Sequence, residues 1–176
     1  MRQICYSVAT SLDGYIAGPK DGIGWIIVDP EIDFRGFMDR FDTILMGRRT
    51  FEAHLAQGGD GSMPGKEVIV ASRTLTQEEY PGITIIGDGL EEAVSRLRSE
   101  PGMSIWLLGG GLLFRSLLET QLVDIVEVAV IPVLLGAGTP FLPAPGNGSV
   151  LRLIGSRVYE QTGTVFLEYS VERNAI

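Results

Sequence analysis

Leu107-Leu108-Gly109-Gly110-Gly111-Leu112-Leu113-Phe114 runs from an apolar strand pattern, through three glycines, into an apolar helical pattern. Glycine permits close approach of the backbone and conformations that other residues avoid. The free N–H groups at the start of a helix form an anion site. The segment is not a G-x-G-x-x-G fingerprint, because Phe114 replaces the last glycine. It therefore predicts a strand–turn–helix unit that either binds a phosphate or is only a tight turn.

Two other strand ends resemble this turn. Gly47-Arg48-Arg49-Thr50 lies between a predicted strand, 43–46, and a predicted helix, 49–55; Ser72-Arg73 follows the predicted strand 67–71. Arginines at the positive end of a helix are unfavourable unless an anion binds there or solvent screens them. The carboxyl ends of parallel strands share one edge of a sheet. Together the turns predict a dinucleotide site, with an extra phosphate near Arg73.

The rest of the chain predicts an α/β fold in a single domain, 1–176. Strand and helix patterns alternate to about residue 120, which indicates a mostly parallel sheet covered on both faces, and the last segments indicate an antiparallel edge. The predicted strands cover 4–9, 43–46, 67–71, 83–86, 104–108, 123–131, 150–159 and 164–172, and the predicted helices 31–41, 49–55, 90–99 and 112–119.

Composition narrows the class of protein. The net charge of −8 opposes nucleic-acid binding. No apolar run approaches about 20 residues, so we expect no membrane span. The N-terminus lacks the pattern of a signal peptide, and the single cysteine, Cys5, fits a reducing compartment, so we expect a cytoplasmic protein. No His, Cys or acidic cluster has metal-ligand spacing, and we expect no metal site.

Five segments occur in an order that resembles the dihydrofolate reductase superfamily. They are Ser11–Ala17, Met46–Phe51, Ser72-Arg73, Gly109–Gly111 and Pro132–Pro140. The first and last are more similar to the riboflavin-biosynthesis reductase, the C-terminal domain of a bifunctional deaminase-reductase, than to dihydrofolate reductase itself. The resemblance implies a three-layer fold and NADPH-dependent reduction of a small heterocycle, such as 5-amino-6-(5-phosphoribosylamino)uracil. The zinc deaminase segments of that enzyme are absent from this sequence.

The resemblance also implies which residues meet NADPH. Ala9 and Ile16 match positions whose backbone meets the nicotinamide carboxamide, and Ser72-Arg73 matches the pair near the 2′-phosphate, which favours NADPH over NADH. The pyrophosphate turn of dihydrofolate reductases holds a cis peptide between its first two glycines. The implied cofactor contacts are Ala9, Ile16, Gly47, Arg48, Arg49, Thr50, Ser72, Arg73, Gly109, Gly110, Gly111, Leu112 and Leu113.

The catalytic acid is less sharply defined. The family acid lies on the first helix with an aromatic residue four positions later, and Asp33 and Phe37 have that spacing. We therefore predict Asp33 as the proton donor and Phe37 as a substrate contact. Asp29 and Glu31 are competitors, water is an alternative proton source, and Asp33 is equally well placed as a helix cap.

Two further residues are predicted on the substrate side. Trp25 is placed to roof a flat ring, and Asp13 precedes Gly14 either as a substrate contact or as the acceptor of an Asx turn. The apolar strand 123–131 reads as an exposed edge, which invites pairing, and the corresponding region makes a dimer in the riboflavin branch. We therefore expect a homodimer.

Other functions remain open on sequence grounds. They include a dihydrofolate or dihydropterin reductase, a nucleotide-binding module without turnover, and an assembly protein that keeps only the sheet. NADPH binding would distinguish the assembly protein from the other two candidates. Turnover would distinguish a reductase from a nucleotide-binding module that does not react.

Overall fold

A computed structural model describes residues 1–175 of the chain. Within that range the fold has ten strands and four α-helices. The strands are β1 (Ile4–Ser11), β2 (Tyr15–Ala17), β3 (Phe41–Gly47), β4 (Glu67–Ala71), β5 (Thr84–Ile86), β6 (Ser104–Gly109), β7 (Ile125–Ile131), β8 (Thr139–Pro140), β9 (Ser149–Tyr159) and β10 (Thr164–Ala175). The helices are α1 (Phe34–Met38), α2 (Arg48–Leu55), α3 (Leu90–Ser99) and α4 (Gly111–Glu119). None of these helices is long and apolar enough to cross a bilayer.

One eight-stranded sheet organises the chain, in the order β5-β4-β3-β6-β1-β7-β10-β9. The six strands from β5 to β7 are parallel, and β10 runs antiparallel to both β7 and β9. The predicted α/β fold with a mostly parallel sheet and an antiparallel C-terminal edge is thereby confirmed. Because β3, β4 and β6 are parallel, their carboxyl ends lie at one edge of the sheet, which we call the carboxyl rim.

Helices cover both faces of the sheet. On one face α3 and α4 pack against alternate strand residues that include Tyr6 and Leu107, and Phe114 of α4 stacks on Tyr6 at 3.8 Å. On the other face α1 and α2 pack against residues of opposite parity, through Phe37 and Phe51. The alternation of core residues along each central strand explains why these strands read as continuous apolar runs.

The first helix is shorter than the sequence predicts. The apolar spacing suggests 31–41, whereas α1 covers only Phe34–Met38. Asp33 caps the helix at its start, by accepting a hydrogen bond from the Gly36 N–H at 2.8 Å. At the other end Phe41 is fully buried as the first residue of β3, so its apolar character serves the strand.

The predicted edge strand is an interior strand. β7 lies between β1 and β10, where its predicted open side is paired with residues 165–170. The edge on this side is β9, which carries exposed apolar side chains. They are Val150, Leu151, Leu153, Ile154 and Val158. Sequence pattern alone could not order the strands, since the pairing partner of β7 lies more than thirty residues further along the chain.

A two-stranded ribbon lies inside segments predicted as loops. β2 pairs antiparallel with β8, and β8 follows the Pro132–Leu135 segment. At Gly138, where φ is +147°, a Cβ atom would lie 2.1 Å from the carbonyl oxygen of Ala17. The ribbon therefore requires glycine at this position, and it holds the segment after β1 against the segment after β7.

Candidate functional site at the carboxyl rim

Two glycine turns touch each other at the carboxyl rim. A Cβ atom built on Gly47, at the end of β3, would lie 3.7 Å from the Gly110 nitrogen and 3.8 Å from the Gly109 oxygen. The peptide between Gly109 and Gly110 is cis, as the resemblance implies. The Thr50 hydroxyl oxygen would lie 3.5 Å from a Cβ on either glycine of that peptide. The sequence-predicted turns of β3 and β6 are therefore brought together.

Both helices that begin at these turns start without a side-chain cap. Gly47 precedes α2 and Gly110 precedes α4, and neither residue can cap its helix with a side chain. The first N–H groups of a helix have no partner inside the helix, and they carry the positive end of its dipole. Two such helix starts at one rim form an arrangement that suits the two phosphates of a dinucleotide.

The third glycine of the turn has a different role. A Cβ on Gly111 would lie 2.7 Å from the Pro140 carbonyl oxygen and 2.8 Å from Cδ of Pro143. Position 111 therefore requires glycine, because the segment at Pro140 and Pro143 packs directly against it. Of the two leucines that follow, Leu112 is exposed and Leu113 is buried against the turn at Gly47.

The arginines of the α2 start are already engaged in the protein alone. Arg49 donates two hydrogen bonds to the carboxylate of Asp21, at 2.7 and 3.0 Å. Arg48 lies 3.4 Å from Glu52 one turn along α2. Both pairs are exposed, and exposed ion pairs stabilise a fold by no more than about 1 kcal/mol. Neither contact would prevent a phosphate from recruiting these guanidinium groups.

Ser72 and Arg73 lie at the end of the next strand along the rim. The Ser72 hydroxyl accepts hydrogen bonds from the N–H groups of Leu75 and Thr74 and thereby fixes the turn after β4. Arg73 is exposed beside a cavity of about 290 Å³, whose lining also includes Asp88. A phosphate that entered this cavity would meet both the Arg73 guanidinium and the Asp88 carboxylate.

The residues expected at the nicotinamide flank the other side of the rim. Ala9 lies near the end of β1 in register with Ala129 of β7, and both residues are half-buried. Ile16 lies in the middle of β2, which folds over the end of β1. Ala9 and Ile16 therefore both lie where β1 meets the rim.

Asp13 holds two loops together. Its carboxylate accepts hydrogen bonds from the N–H of Gly136 at 2.7 Å, from the N–H of Leu135 and from the Ser11 hydroxyl at 2.6 Å. The Ser11 hydrogen bond, aided by the two backbone N–H groups, lowers the pKa of Asp13 to about 2. The same contacts would have to break before Asp13 could bind a substrate, whose contact with this residue remains a prediction.

The three acids considered as proton donors all have protein partners. Asp33 is the exposed cap of α1. Asp29 is 1% exposed and accepts from the Thr162 hydroxyl and from the N–H of Glu31. The Glu31 carboxylate pairs with Arg157 at 2.9 Å. The catalytic role of Asp33 stays a prediction, and its side chain would have to leave the cap to serve in it.

The two aromatic residues predicted at the substrate lie in different surroundings. Phe37 packs edge-on against Trp106 of β6, with ring centroids 5.0 Å apart, and so anchors α1 on the sheet. Trp25 is half-buried, and its indole N–H donates to the carbonyl of Gly22 at 3.1 Å. Trp25 is thus attached to the loop between β2 and α1.

Sequence reasoning missed a polar group on the sheet beneath α1. Glu127 is 1% exposed in β7; its carboxylate is hydrogen-bonded to the Ser7 hydroxyl and lies 2.6 Å from a guanidinium nitrogen of Arg40. The available signal was the glutamate itself, the single charged residue of an otherwise apolar strand. Burial, together with the Glu127 charge, raises the pKa of the Cys5 thiol on the same face to about 12, so this thiol stays protonated.

No group of three or more His, Cys, Asp or Glu side chains is positioned to hold a metal ion within residues 1–175.

Comparisons with known proteins agree with this architecture. The chain is 31% identical to the uncharacterized protein YyaP of Bacillus subtilis, over 96% of this chain and 94% of that one. A putative riboflavin biosynthesis protein from Shewanella sp. PV-4 has a crystal structure that superposes with a TM-score of 0.82, at 27% identity over 98% of this chain and all of the other. Dihydrofolate reductase from Enterococcus faecalis, complexed with NADP(H), superposes with a TM-score of 0.71 at 18% identity, over 97% and 96% of the two chains.

The family can be assigned directly. The sequence model of the RibD C-terminal domain matches residues 2–165, which include every strand from β1 to β9 and both glycine turns. The fold is that of dihydrofolate reductase, with the same three layers and mixed sheet. The chain therefore belongs to the RibD C-terminal domain family.

Proposed function

We propose that this protein is an NADPH-dependent reductase of a small heterocyclic substrate. The observation that carries the proposal is the contact between the Gly47 turn and the Gly109-Gly110 turn, each of which opens a helix without a side-chain cap. The complex of NADP(H) with a dihydrofolate reductase of the same fold supports the cofactor class. The family supports an oxidoreductase.

The residues at the rim fit a dinucleotide phosphate in their chemistry. The helix starts at Gly47 and Gly110 would hold the pyrophosphate through backbone N–H groups, and Thr50 would add a hydroxyl. Arg73 would bind the 2′-phosphate, since its guanidinium can make paired hydrogen bonds to phosphate oxygens. Ala9 would meet the nicotinamide end, two strands away from the pyrophosphate turn of β3.

NADPH, when bound, supplies a hydride to the substrate ring. The chain would orient the ring over β1 and β7 and exclude water by means of α1 and the loop that carries Trp25. A proton must also reach the product, from water or from a carboxyl group such as Asp33 after it leaves its cap. In the riboflavin pathway the ring would be a 5-amino-6-(phosphoribosylamino)uracil.

The cofactor assignment is tested by titrating the protein with NADPH and with NADH. We expect NADPH to bind at least about tenfold more tightly, because one charged hydrogen-bonded contact is worth about 1.5–3 kcal/mol. Arg73→Ala should reduce that ratio towards one and leave NADH affinity unchanged. Arg96→Ala, at an exposed arginine in the last turn of α3, is the matched control and should leave the ratio intact. Equal affinities in the unmodified protein would contradict the proposal.

A nucleotide-binding module without turnover is the second candidate. It is favoured by one observation, namely that Asp33, Asp29 and Glu31 are all held by protein partners. A panel of pyrimidines and pterins, followed by NADPH absorbance at 340 nm, separates the two functions. Substrate-dependent loss of absorbance would establish the reductase, and saturable binding without any loss would favour the module.

We also propose that the protein is a homodimer, with β9 as the contact strand. An antiparallel edge strand can pair with its own copy across a twofold axis, and the exposed apolar residues of β9 would be covered by that pairing. Sedimentation equilibrium should give the mass of two chains. Val158→Glu should shift the mass to one chain, and a monomeric mass for the unmodified protein would refute the proposal.

A further inference from the structure

A row of polar residues crosses the sheet between α1 and the β9–β10 hairpin. In register, Ser7 of β1 lies beside Glu127 of β7, Glu127 beside Glu168 of β10, and Glu168 beside Gly155 of β9. Neighbouring rows on this face of the sheet are apolar or small, with Ile125 on one side and Ala129 on the other. A buried carboxylate in such surroundings requires an explanation.

Stability does not explain the Glu127–Arg40 pair. Glu127 is 1% exposed, whereas the Arg40 side chain is 41% exposed, so the pair spans the boundary between the core and the surface. Removing a charge from water costs several kcal/mol, and an apolar pair of similar volume would stabilise the sheet equally well or better. Glu127 and Glu168, which face each other across two strands, add a like-charge contact that disfavours folding.

The hydrogen bonding of Glu127 is incomplete. Its Oε2 atom bonds to the Ser7 hydroxyl. Its Oε1 atom is in ion-pair contact with Arg40, but among the described residues it has no aligned hydrogen-bond donor. A carboxylate offers about four acceptor positions, so Glu127 has capacity for another N–H, which would have to enter beside the half-exposed Arg40 because Oε1 itself is buried.

Arg40 is fixed in place and yet keeps donors available. Its guanidinium carbon lies 5.7 Å from the centroid of the Phe37 ring and 5.1 Å from that of Phe41. These contacts and Glu127 hold the planar group against the sheet. Arginine has five N–H donors, and the ion pair with Glu127 accounts for one nitrogen.

Small side chains cover the sheet surface beside Glu127 and Arg40, at Ala9 and Ala129, and we call this surface the floor. Ala9 and Ala129 lie two residues further along β1 and β7, about 7 Å from Ser7 and Glu127 and on the same face. Both alanines are half-buried, and their methyl groups leave room for a flat ring. A six-membered ring on this floor would direct one edge at Glu127 and Arg40.

We propose that Glu127 and Arg40 bind one edge of the substrate ring and thereby select the substrate. The Glu127 carboxylate accepts a ring N–H, and the Arg40 guanidinium donates to the adjacent carbonyl oxygen. The substrate class is then a heterocycle with neighbouring N–H and C=O groups, as in a lactam or a pyrimidinone. This inference rests on the proposed function, because the nicotinamide that would reduce this ring is held there by the backbone at Ala9, next to the Ala9 and Ala129 methyl groups on which the ring would lie.

The test uses two pyrimidine probes and the full-length protein saturated with NADPH. The probes are 5,6-diaminouracil and its 1,3-dimethyl derivative, which lacks the ring N–H groups, and binding is measured by calorimetry. We expect the unmethylated probe to bind at least about tenfold more tightly, which corresponds to one hydrogen bond to a charged group. Glu127→Gln should weaken the unmethylated probe about tenfold and leave the dimethyl probe and NADPH unchanged.

A variant of Arg40 provides a second test that does not depend on Glu127→Gln. Arg40→Lys keeps a positive charge beside Glu127, so the buried carboxylate is not left uncompensated, but it removes the planar set of donors. Because both probes share the carbonyl, this variant should weaken both by a similar factor. Glu172→Gln, on β10 in an exposed pair with Arg152, is the matched control and should change neither. Circular dichroism and the thermal midpoint establish that each variant is folded.

The outcomes distinguish this inference from the cofactor proposal. Folded Glu127→Gln and Arg40→Lys proteins with unchanged affinities would overturn it, and so would failure of both probes to bind the NADPH-saturated protein. If Glu127→Gln does not fold, the effect of Arg40→Lys on both probes decides the question. Failure of NADPH itself to saturate the protein would instead contradict the proposed function.

Discussion

The proposed cofactor side and the proposed substrate side of the site are built in different ways. At the carboxyl rim the chemistry comes largely from backbone, in short turns of consecutive residues such as Gly109–Gly111. Beneath α1 it comes from side chains that the sheet brings together from distant parts of the chain, such as Ser7, Arg40 and Glu127. A fold can therefore keep its cofactor turns while the substrate side changes one side chain at a time.

The same contrast appears in how each side is held. At the rim, position 111 has no room for a Cβ atom, because Gly111 packs directly on the chain at Pro140 and Pro143. The substrate side is joined by polar contacts between separate elements, such as Asp29 with Thr162 of the β9–β10 turn and Glu31 with Arg157. Changes at the rim should therefore affect the whole fold, and changes beneath α1 should have local effects.

The largest expected effect is that of Gly111→Ala. The added Cβ would overlap the Pro140 carbonyl oxygen at 2.7 Å, and both neighbours are backbone or ring atoms that cannot rotate away. We expect a loss of about 1–3 kcal/mol in the free energy of unfolding, together with weaker NADPH binding. Gly82→Ala, where a Cβ meets nothing within 4 Å, is the control and should be neutral in urea denaturation. Equal stability of the Gly111→Ala and Gly82→Ala proteins would show that the rim tolerates substitutions as well as the substrate side beneath α1 does.

A smaller effect is expected from Thr162→Val, which removes the hydroxyl that bonds to Asp29 at 2.9 Å. The variant leaves a buried carboxylate oxygen without its partner, at a cost of about 1–2 kcal/mol. The free energy of unfolding and the NADPH dissociation constant are to be measured together. The contrast between the two sides predicts a stability loss with unchanged NADPH affinity. Thr76→Val, whose hydroxyl bonds to exposed Glu79, is the control and should change neither quantity.

The smallest effect is a pH dependence at Asp13. The pKa of its carboxyl group is about 2 in the folded protein against an ordinary value near 3.8, so its contribution to stability is complete above pH 4 and declines as the pH falls towards 2. Asp13→Asn removes this titration. The difference in thermal midpoint between the two proteins should therefore narrow between pH 5 and pH 2. A constant difference over that range would show that the Asp13 contacts are not coupled to its charge.

The carboxyl rim could be predicted from sequence because each turn is local. A run of apolar residues, then glycine, then a helical pattern indicates both elements and the turn between them, and parallel strands put the three turns at one edge. The turns at Gly47 and Gly109 do meet there. The identity of the third glycine as a packing residue could not be predicted, because its neighbours Pro140 and Pro143 lie about thirty residues further along the chain.

The arrangement of the substrate side could not be predicted from the sequence, because it depends on strand pairings that no local sequence pattern reveals. The position of β7 inside the sheet follows from its pairing with β10, and only that pairing places Glu168 beside Glu127. The length of α1 follows from the cap at Asp33 and from the burial of Phe41 in β3. The spacing of Asp33 and Phe37 was read correctly as a helical interval, but it could not show that the carboxylate turns back to its own helix.

The place of β1 in the sheet bears on how the chain is made. Its two neighbours are β6 and β7, so β1 has neither partner until about a hundred further residues have been synthesised. During synthesis β3, β4 and β5 can already pair with one another, while β1 still has no hydrogen-bonded partner on either edge. Ala9 and Glu127 would thus come together only after β7 has been synthesised and pairs with β1.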